Sequence, residues 1–317
     1  MKKVMIFIVD FDKYCRDGLQ MLLDAGFDAR YNRFRRIYEH KELIEDAADV
    51  DAVIADTEPW DEAAFAACPK LKCLIRYGTG INSVDLDAAK RHNVIVANTP
   101  GYNANAVAEQ AVSLLFSLVR DVPRLNALMR AGKWSRPIYR ELSGKTIGIL
   151  GFGAIGQKSA GKLSGLDATI VAYDKFPNEK AAAALGMTFR SFEEVLRDSD
   201  FLLIHLPLLP DTERIINAKS IAMMKDGVYV VNTGRGMLVD EAAVAQALRS
   251  GKIAAMASDV FVQEPPQTDN PLFACPNYIC SPHISGNTYE NMRESGIATA
   301  EAILAVFAGK EPKSRHA

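Results

Sequence analysis

The chain has 317 residues, a length typical of about two domains. Hydrophobic residues make up 49% and charged residues 24% of the sequence, which is typical of a globular protein with a large core. The formal net charge of -2 and the pI near 6.2 create no long-range attraction for nucleic acid or anionic lipid, so we expect neither as a partner.

The amino-terminal run MKKVMIFIVDFD predicts a buried strand rather than a secretion signal, because its apolar part is short and stops at Asp10. No apolar run approaches the ~18 residues of a membrane span. The 5 cysteines are odd in number and lack the spacing of a metal site. We therefore expect free thiols, no bound metal and a cytoplasmic location.

Apolar runs alternate with helix-compatible segments in the first part of the chain, which predicts parallel βαβ units. No glycine fingerprint follows the first run, so this part is not predicted to bind a nucleotide. After the third run, the glycine-rich loop Tyr77–Gly80 either presents N–H groups to an anion or forms a simple turn. The predicted strands are 4–9, 52–55, 73–76 and 94–97, and the predicted helices include 41–48 and 61–68.

A turn cluster over 98–101 precedes a predicted long helix over 103–120, and we place the crossing to a second domain here. A shorter amphipathic helix follows, to about Ala131. After it, Trp134, Ile138 and Tyr139 form an apolar and aromatic stretch without periodicity. This stretch is equally consistent with an arm on a second subunit and with packing inside the chain.

A second series of strands and helices begins at Lys145, with Asp240 as a candidate helix cap. A terminal helix over 288–307 is expected to return to the first domain, and a frayed tail over 310–317 to follow it. The predicted strands are 146–150, 169–173, 201–205, 228–232, 254–258 and 278–281, and the predicted helices are 155–163, 179–185, 192–197, 218–224 and 241–250.

The first strand of this series ends in a glycine motif, Gly151-x-Gly153-x-x-Gly156. The first glycine permits a tight turn, the second lets a pyrophosphate approach, and the third lets helix and strand pack closely. Asp174 ends the next strand, 18 residues after Gly156, where a carboxylate binds the adenine ribose and repels a 2′-phosphate. NAD is thus the favoured cofactor, and NADP is a less favoured alternative because Lys175 is adjacent to Asp174. The alternative is an ordinary strand–turn–helix with a surface aspartate.

These patterns predict an α/β protein with two Rossmann-like domains. A parallel-sheet NAD-binding domain, residues 101–286, is expected to be inserted into a discontinuous α/β domain, residues 1–100 plus 287–317.

Polar side chains follow the strands of the second domain at the ends where a parallel sheet binds its ligands. Arg235, between two glycines, is suited to hold a carboxylate and polarise a carbonyl, or is a solvated charge. His283 is suited to exchange a proton with an oxygen at the reacting carbon, or is structural. Glu264 either orients that imidazole and keeps it protonated or is a loop acid. We expect His205 to line the cofactor groove, and the guanidinium, the imidazole and the glycine turn to converge on one rim.

Several segments resemble the motifs of the D-isomer-specific 2-hydroxyacid dehydrogenases. NTGRGMLVDEAAVAQALRSGKIAAMASDVFVQEPP, followed by SPHISGNT, is similar to that family's signature. GFGAIGQ and RYGTGINSVDLDAAKRHNVIVANTPG resemble its cofactor and substrate-domain motifs. The resemblance covers nearly the whole chain, is weakest before about residue 50, and is specific for the family but not for a substrate.

The resemblance implies that the discontinuous domain, residues 1–100 plus 287–317, is a flavodoxin-like substrate domain. It also implies roles at matched positions. The catalytic residues would be Arg235, Glu264 and His283. The substrate would be bound by Arg76, Tyr77, Gly78, Arg235 and His283, with backbone amides of Tyr77 and Gly78 holding its carboxylate. The cofactor contacts would be Thr79, Gly151, Gly153, Ala154, Ile155, Gly156, Asp174, His205, Leu206, Pro207, Thr212, Thr233, Gly234, Arg235, Asp259, His283 and Gly286, with Asp259 holding the nicotinamide carboxamide.

The implied reaction is a reversible hydride transfer between NADH and a small 2-oxo acid, with His283, supported by Glu264, as proton donor. Family members are usually dimers, which fits an arm over about 122–140. The alternative function is a non-catalytic, NAD-sensing binding protein that resembles corepressors.

One departure concerns the substrate. Short-chain phosphoglycerate dehydrogenases carry an Arg-Ser-x-Thr segment that helps bind the phosphate-bearing substrate, whereas this chain has Ala55-Asp56-Thr57-Glu58. The acids should disfavour a phosphorylated substrate such as 3-phosphohydroxypyruvate. A small unphosphorylated 2-oxo acid, such as hydroxypyruvate, glyoxylate or pyruvate, is therefore as plausible a substrate as the phosphorylated one. No regulatory domain is expected after residue 317.

Overall fold

The chain folds into two units, one of which is interrupted in sequence by the other. The computed structural model describes residues 1–317. The first unit comprises Met1–Asn103 and Gly286–Ala317, and the second comprises Ala104–Ser285.

The first unit contains a five-stranded parallel sheet in the order β2-β1-β3-β4-β5. Alternate residues of its first strand belong to the cores on opposite faces, Met5 to one and Ile6 to the other. Helices therefore cover both faces of this sheet, as is usual for parallel sheets. The strands are β1 (Lys2–Ile6), β2 (Phe27–Tyr31), β3 (Ala52–Ala55), β4 (Cys73–Arg76) and β5 (Ile95–Asn98), and the helices are α1 (Phe11–Tyr14), α2 (Arg16–Asp24), α3 (His40–Ala47), α4 (Glu62–Ala66) and α5 (Leu86–Arg91).

The second unit contains a seven-stranded sheet, also parallel, in the order β12-β11-β10-β9-β6-β7-β8. The predicted α/β class with two Rossmann-like domains is confirmed. Asp240 caps α12 as predicted, accepting a hydrogen bond from the Ala243 N–H. The elements in order are α6 (Ala104–Val119), α7 (Val122–Arg130), β6 (Thr146–Leu150), α8 (Ala154–Leu163), β7 (Thr169–Tyr173), α9 (Glu179–Ala184), β8 (Thr188–Phe189), α10 (Phe192–Asp198), β9 (Phe201–Ile204), α11 (Ala218–Met223), β10 (Val228–Asn232), a 3₁₀ turn (Gly236–Leu238), α12 (Glu241–Ser250), β11 (Ile253–Ser258) and β12 (Tyr278–Cys280).

The direction of strand addition reverses in the second sheet between β6 and β9. From β6 the chain adds β7 and β8 on one side, and from β9 it adds β10, β11 and β12 on the other. Such a reversal opens a crevice at the carboxyl ends of the strands, which is where ligands bind in open parallel sheets.

The chain returns to the first unit through α13 (Tyr289–Phe307), which matches the terminal helix predicted over 288–307. This helix crosses α2 at backbone contact distance, because a β-carbon on Gly18 would lie 2.1 Å from the Gly296 carbonyl oxygen. No helix of the protein has both the length and the apolar character required to cross a membrane.

The prediction of a frayed tail is wrong. The His316 N–H donates to the Val96 carbonyl at 2.7 Å, and the Val96 N–H donates to the Ala317 carbonyl at 3.1 Å. Ala97 and Arg315 form an antiparallel bridge. The last residues therefore pair with the exposed edge of β5, whose free N–H and C=O groups favour an added strand.

Candidate functional site

The glycine motif forms a tight turn between β6 and α8. Gly151 has φ 95°, and a β-carbon there would lie 2.7 Å from the His205 carbonyl carbon. At Gly156 a β-carbon would lie 2.2 Å from the Gly151 carbonyl oxygen. These positions therefore require glycine on steric grounds.

Gly153 differs from these two glycines, because a β-carbon there would enter open space. Gly153 is the N-cap of α8 and no side chain caps that helix. The first N–H groups of α8, beginning with Ala154 and Ile155, thus point toward a space that a phosphate can occupy.

Asp174 lies at the end of β7 beside this turn. Its carboxylate accepts hydrogen bonds from the Phe152 N–H at 2.7 Å and from the Phe176 N–H at 2.9 Å, which fix its orientation. The neighbouring Lys175 ammonium is held 2.5 Å from the Asp211 carboxylate. Both observations fit a nucleotide without a 2′-phosphate, since the cation that would favour the phosphate is already paired.

His205 follows β9 and is held on both ring nitrogens. Nε2 lies 3.1 Å from the Ser159 hydroxyl, and Nδ1 lies 3.1 Å from the Thr233 hydroxyl. Burial lowers the pKa of His205 to about 4, so the ring is neutral near pH 7. A neutral imidazole between two hydroxyls fits the predicted groove wall better than a proton donor.

The segment after His205 is held by a threonine. The Thr212 hydroxyl donates to the Pro207 carbonyl at 2.6 Å and accepts from the Leu209 N–H at 2.8 Å, while Leu206 is buried in the core. This arrangement gives Thr212 a structural role, and its predicted contact with the cofactor stays a prediction.

Arg235 follows β10 in a loop that Asn232 holds from inside the unit. The Asn232 side chain accepts from the Gly234 N–H at 3.0 Å and donates to the Arg235 carbonyl at 2.9 Å. Asn232 is fully buried. Sequence reasoning assigned Asn232 only to the strand end. The available signal was an asparagine placed two residues before a glycine, a spacing at which its side chain can bind the following backbone.

The Arg235 loop lies directly against the loop that carries Glu264. A β-carbon on Gly236 would lie 1.9 Å from the Phe261 carbonyl carbon, so the two backbones touch. The Phe261 N–H donates to Glu264 Oε1 at 3.0 Å. The charge of Arg235 is also close enough to lower the pKa of Glu264.

Glu264 and His283 form a direct pair, with 2.6 Å between Glu264 Oε2 and His283 Nδ1. Burial alone would raise the pKa of Glu264, but the hydrogen bond and charge of His283, the Phe261 N–H and the charge of Arg235 together lower it. The glutamate is therefore an anion that orients the imidazole. Because Nδ1 is engaged, Nε2 is the nitrogen that can exchange a proton with a ligand.

Asp259 holds the loop on which His283 lies. Its fully buried carboxylate accepts from the N–H groups of Ile284 and Ser285, at 3.0 and 2.7 Å, and from the hydroxyls of Ser281 and Ser285. The His283 backbone has φ 52°, in the left-handed region. Asp259 thus stabilises this conformation, and its predicted contact with the nicotinamide carboxamide stays a prediction.

In the first unit, the loop after β4 departs from the expected pattern of donors. The Tyr77 N–H donates to the Ala55 carbonyl at 2.9 Å, and the Gly78 N–H donates to the Thr99 hydroxyl at 2.7 Å. Neither the Thr79 nor the Gly80 N–H donates such a bond. The two amides predicted to hold a carboxylate are thus already engaged, and the next two along the loop fit that role better.

Thr79 and Gly286, two further residues predicted to contact the cofactor, lie close to asparagine side chains of the first unit. The Thr79 hydroxyl lies 3.4 Å from Asn103 Oδ1, the Thr79 carbonyl accepts from the Asn98 side chain, and the Gly286 carbonyl accepts from the Asn291 side chain. Arg76 is buried beneath Gly78. The predicted ligand contacts of Thr79, Gly286 and Arg76 stay predictions.

Comparison with known proteins agrees with this geometry. Residues 112–285 match the family model described as D-isomer specific 2-hydroxyacid dehydrogenase, NAD binding domain. The chain belongs to this family. NAD is thus the cofactor of its second unit, and the uncapped α8, the open space at Gly153 and the fixed Asp174 carboxylate fit that nucleotide.

Individual 2-hydroxyacid dehydrogenase relatives extend the match. D-3-phosphoglycerate dehydrogenase of Mycobacterium leprae (strain TN) is 37% identical over 275 residues, covering 86% of this chain and 52% of that protein. The chain spans about half the length of the curated relatives it matches. A crystal structure of a protein from Thermus thermophilus has TM-score 0.90 and 29% identity, covering 99% of this chain and 100% of that one. The apo-structure of D-lactate dehydrogenase from Escherichia coli has TM-score 0.88 and 27% identity, covering 99% of this chain and 100% of that one.

Proposed function

We propose that this family member is an NAD-dependent D-2-hydroxyacid dehydrogenase that reversibly reduces a small 2-oxo acid. The observation that carries the proposal is the Glu264–His283 pair, with Arg235 beside it, at the sheet edge that also holds the glycine turn. An imidazole oriented by a carboxylate and placed near a guanidinium is suited to proton transfer at a substrate whose carboxylate is bound nearby.

In the direction of reduction, Arg235 binds the substrate carboxylate and polarises the adjacent carbonyl. NADH, held by the first N–H groups of α8 and by Asp174, would supply the hydride for the carbonyl carbon. His283 gives its Nε2 proton to the carbonyl oxygen, and Glu264 stabilises the imidazolium before that step and fixes the ring during it. In the direction of oxidation, His283 accepts the hydroxyl proton.

We further propose that Arg235 and His283 contact both substrate and cofactor, and that the Tyr77–Gly80 loop binds the substrate carboxylate. The supporting observation in that loop is the pair of unengaged N–H groups at Thr79 and Gly80. The first unit would then be the substrate domain, at about residues 1–100 plus 287–317, and residues 101–286 the cofactor domain.

The arm supports a further proposal, that the protein is a homodimer. No residue of α7 is buried, and Trp134 and Ile138 are 78% and 97% exposed. Aromatic and large aliphatic side chains at this exposure favour a second copy as partner. A monomeric mass in sedimentation equilibrium would contradict it. We also propose a cytoplasmic location, supported by 5 free cysteines, of which only Cys280 is exposed.

The substrate is proposed to be one of hydroxypyruvate, glyoxylate, pyruvate and 3-phosphohydroxypyruvate. Relatives are named as dehydrogenases of D-3-phosphoglycerate and D-lactate, which supports a small 2-oxo acid without selecting one. These names do not favour the alternative of an NAD-sensing binding protein.

The test is NADH oxidation, followed at the NADH absorbance, across these four acids. We expect turnover with at least one acid and loss of at least about 1000-fold in His283→Asn, with the NADH dissociation constant within a factor of about three of the parent protein. NADH binding without oxidation of any acid would reject the enzyme and favour the binding protein.

A further inference from the structure

Three charged side chains lie close together at the carboxyl edge of the first unit's sheet. Asp56 and Glu58 follow β3, and Arg76 ends the neighbouring strand, β4. We name these three residues the charge cluster. It lies directly beneath the loop over 77–80, because a β-carbon on Gly78 would lie 3.3 Å from Arg76 Nη1.

Arg76 is the cation of the cluster and is almost completely enclosed. The residue is 8% exposed, and Nε and Nη1 have no hydrogen-bond partner. Its Nη2 lies 3.9 Å from Asp56 Oδ1. Burial lowers the pKa of Arg76, while the charges of Asp56 and Glu58 oppose that change. The guanidinium thus lies near the Asp56 carboxylate and within electrostatic range of Glu58.

Glu58 is completely buried, although glutamate is rarely so. Its Oε2 accepts from the Asp56 N–H at 2.9 Å, and its Oε1 has no partner. Burial raises the pKa of Glu58 to about 7, and the negative charge of Asp56 adds to this effect. The position of Glu58 is fixed by the turn after β3.

The cluster therefore contains more acid than base. With Glu58 ionised the sum of its charges is negative, and with Glu58 protonated it is zero. The Asp56 side chain is 38% exposed, so a carboxylate faces solvent at this edge while the guanidinium does not. A second anionic group on a ligand of this loop would meet a carboxylate instead of a free cation.

Other arginines at the same edge are also paired with acids. Arg33, Arg35 and Arg36 follow β2, at the far side of the sheet, and lie 2.9, 2.8 and 2.6 Å from Asp46, Asp10 and Glu42. Arg76, which lies against Gly78 of the loop, is likewise balanced by acids.

We infer that Asp56 and Glu58 are specificity residues that restrict the protein to 2-oxo acids without a second anionic group, of the class that includes hydroxypyruvate, glyoxylate and pyruvate. The inference rests on the proposed dehydrogenase function. The mechanism is exclusion: the two acids balance Arg76 and repel a phosphate, while a neutral substrate tail meets no such repulsion.

The experiment compares hydroxypyruvate with 3-phosphohydroxypyruvate, which differ by one phosphate. For the parent protein we expect kcat/KM to be about 100-fold higher with hydroxypyruvate. In Asp56→Asn/Glu58→Gln, which keeps the shape and removes both charges, this ratio should fall at least about tenfold, through a lower KM for the phosphorylated acid. Asp87→Asn, which removes an exposed acid from α5 of the same unit, is the matched control and should leave the ratio unchanged.

Preference by the parent protein for the phosphorylated acid would overturn the inference. So would an unchanged ratio in a double variant whose melting temperature and NADH affinity match the parent. If the double variant does not fold, Asp56→Asn alone, at a partly exposed site, should shift the ratio about threefold, and no shift there counts against the inference.

Binding without turnover separates this inference from the dehydrogenase function. Calorimetric titration of the NADH-loaded protein with D-glycerate and with 3-phospho-D-glycerate measures the same preference when no acid is reduced. Tighter binding of D-glycerate supports exclusion of the phosphate, and tighter binding of 3-phospho-D-glycerate rejects it. Absence of NADH oxidation across the acids rejects the dehydrogenase function alone.

Discussion

The Glu264 carboxylate links two loops of the second sheet, because one oxygen accepts the Phe261 N–H at 3.0 Å and the other lies 2.6 Å from His283 Nδ1. The acid thus fixes its own loop and the imidazole at once. Its lowered pKa means that the carboxylate is ionised throughout the neutral range.

Glu264→Gln should lower kcat at least about tenfold at pH 7, because an amide orients the ring without stabilising its protonated form. Since the pKa of Glu264 lies below its ordinary value of 4.5, the part of the parent protein's advantage that needs the ionised carboxylate should be lost only below about pH 4.5. Activity profiles of the two proteins test this. A Gln variant with parental kcat at pH 7 would remove Glu264 from the proton-transfer machinery.

Arg235→Lys should raise KM for the 2-oxo acid at least about tenfold. The ammonium is a point charge and cannot reproduce the planar pair of donors that a carboxylate accepts. Steady-state kinetics measure the effect, and Arg249→Lys, on the exposed end of α12, is the control with the same chemical change. Equal KM values in the two variants would reject the carboxylate role.

Gly153→Ala and Gly156→Ala should separate cofactor binding from folding. A methyl at Gly153 enters open space at an ordinary φ of -70°, so the melting temperature should stay within ~2 °C while NADH affinity falls at least about tenfold. A methyl at Gly156 meets the Gly151 carbonyl and should destabilise the fold by about 2 kcal/mol or more. Calorimetry and thermal unfolding measure both. Parental NADH affinity in Gly153→Ala would show that the phosphate binds elsewhere.

Glu58→Gln should change how stability depends on pH. The pKa of Glu58 is raised from 4.5 to about 7 in the folded chain. Its contribution to the stability of the fold is therefore fully present below pH 4.5 and is lost as the pH rises through about 7. The glutamine cannot ionise. As the pH rises from 4.5 to about 7, the free energy of unfolding of Glu58→Gln should therefore increase by up to about 3 kcal/mol relative to that of the parent protein.

Urea unfolding of the parent protein and the Glu58→Gln variant from pH 5 to pH 8 measures this gain. Glu45→Gln, at an exposed site on α3, is the control and should show no such trend. If the free energies of unfolding of the parent protein and Glu58→Gln differ by a constant amount across this range, a buried Glu58 that ionises would be contradicted.

The strand-end residues of the second unit were predictable because parallel strands bring their carboxyl ends to one edge, which places Arg235, His283 and Gly151 together once the strands are recognised. Strand β2, whose sequence FDARY mixes polar and apolar residues, was not predicted, since an edge strand is buried only in part. Short β8 was missed for the same reason. The tail was missed because its pairing depends on a distant strand edge, and that information is not local.

Which N–H groups of the Tyr77–Gly80 loop are unengaged could not be predicted from the sequence, for a related reason. Motif position indicates which loop binds an anion, but not which N–H groups the rest of the unit already uses. Here the Thr99 hydroxyl, far along the chain, engages the Gly78 N–H. The structural roles of Asn232 and Asp259 were likewise not predicted, because many of their hydrogen bonds run to backbone groups whose positions the sequence does not display.

The contact of Gly18 with Gly296 sets an order of events during synthesis on the ribosome. The α2 helix is made early but gains its most extensive packing partner only when α13 emerges, whereas residues 104–285 form a continuous stretch that is complete sooner. Because domains generally fold as units while the chain grows, the inserted unit should acquire its structure before the segment that precedes it.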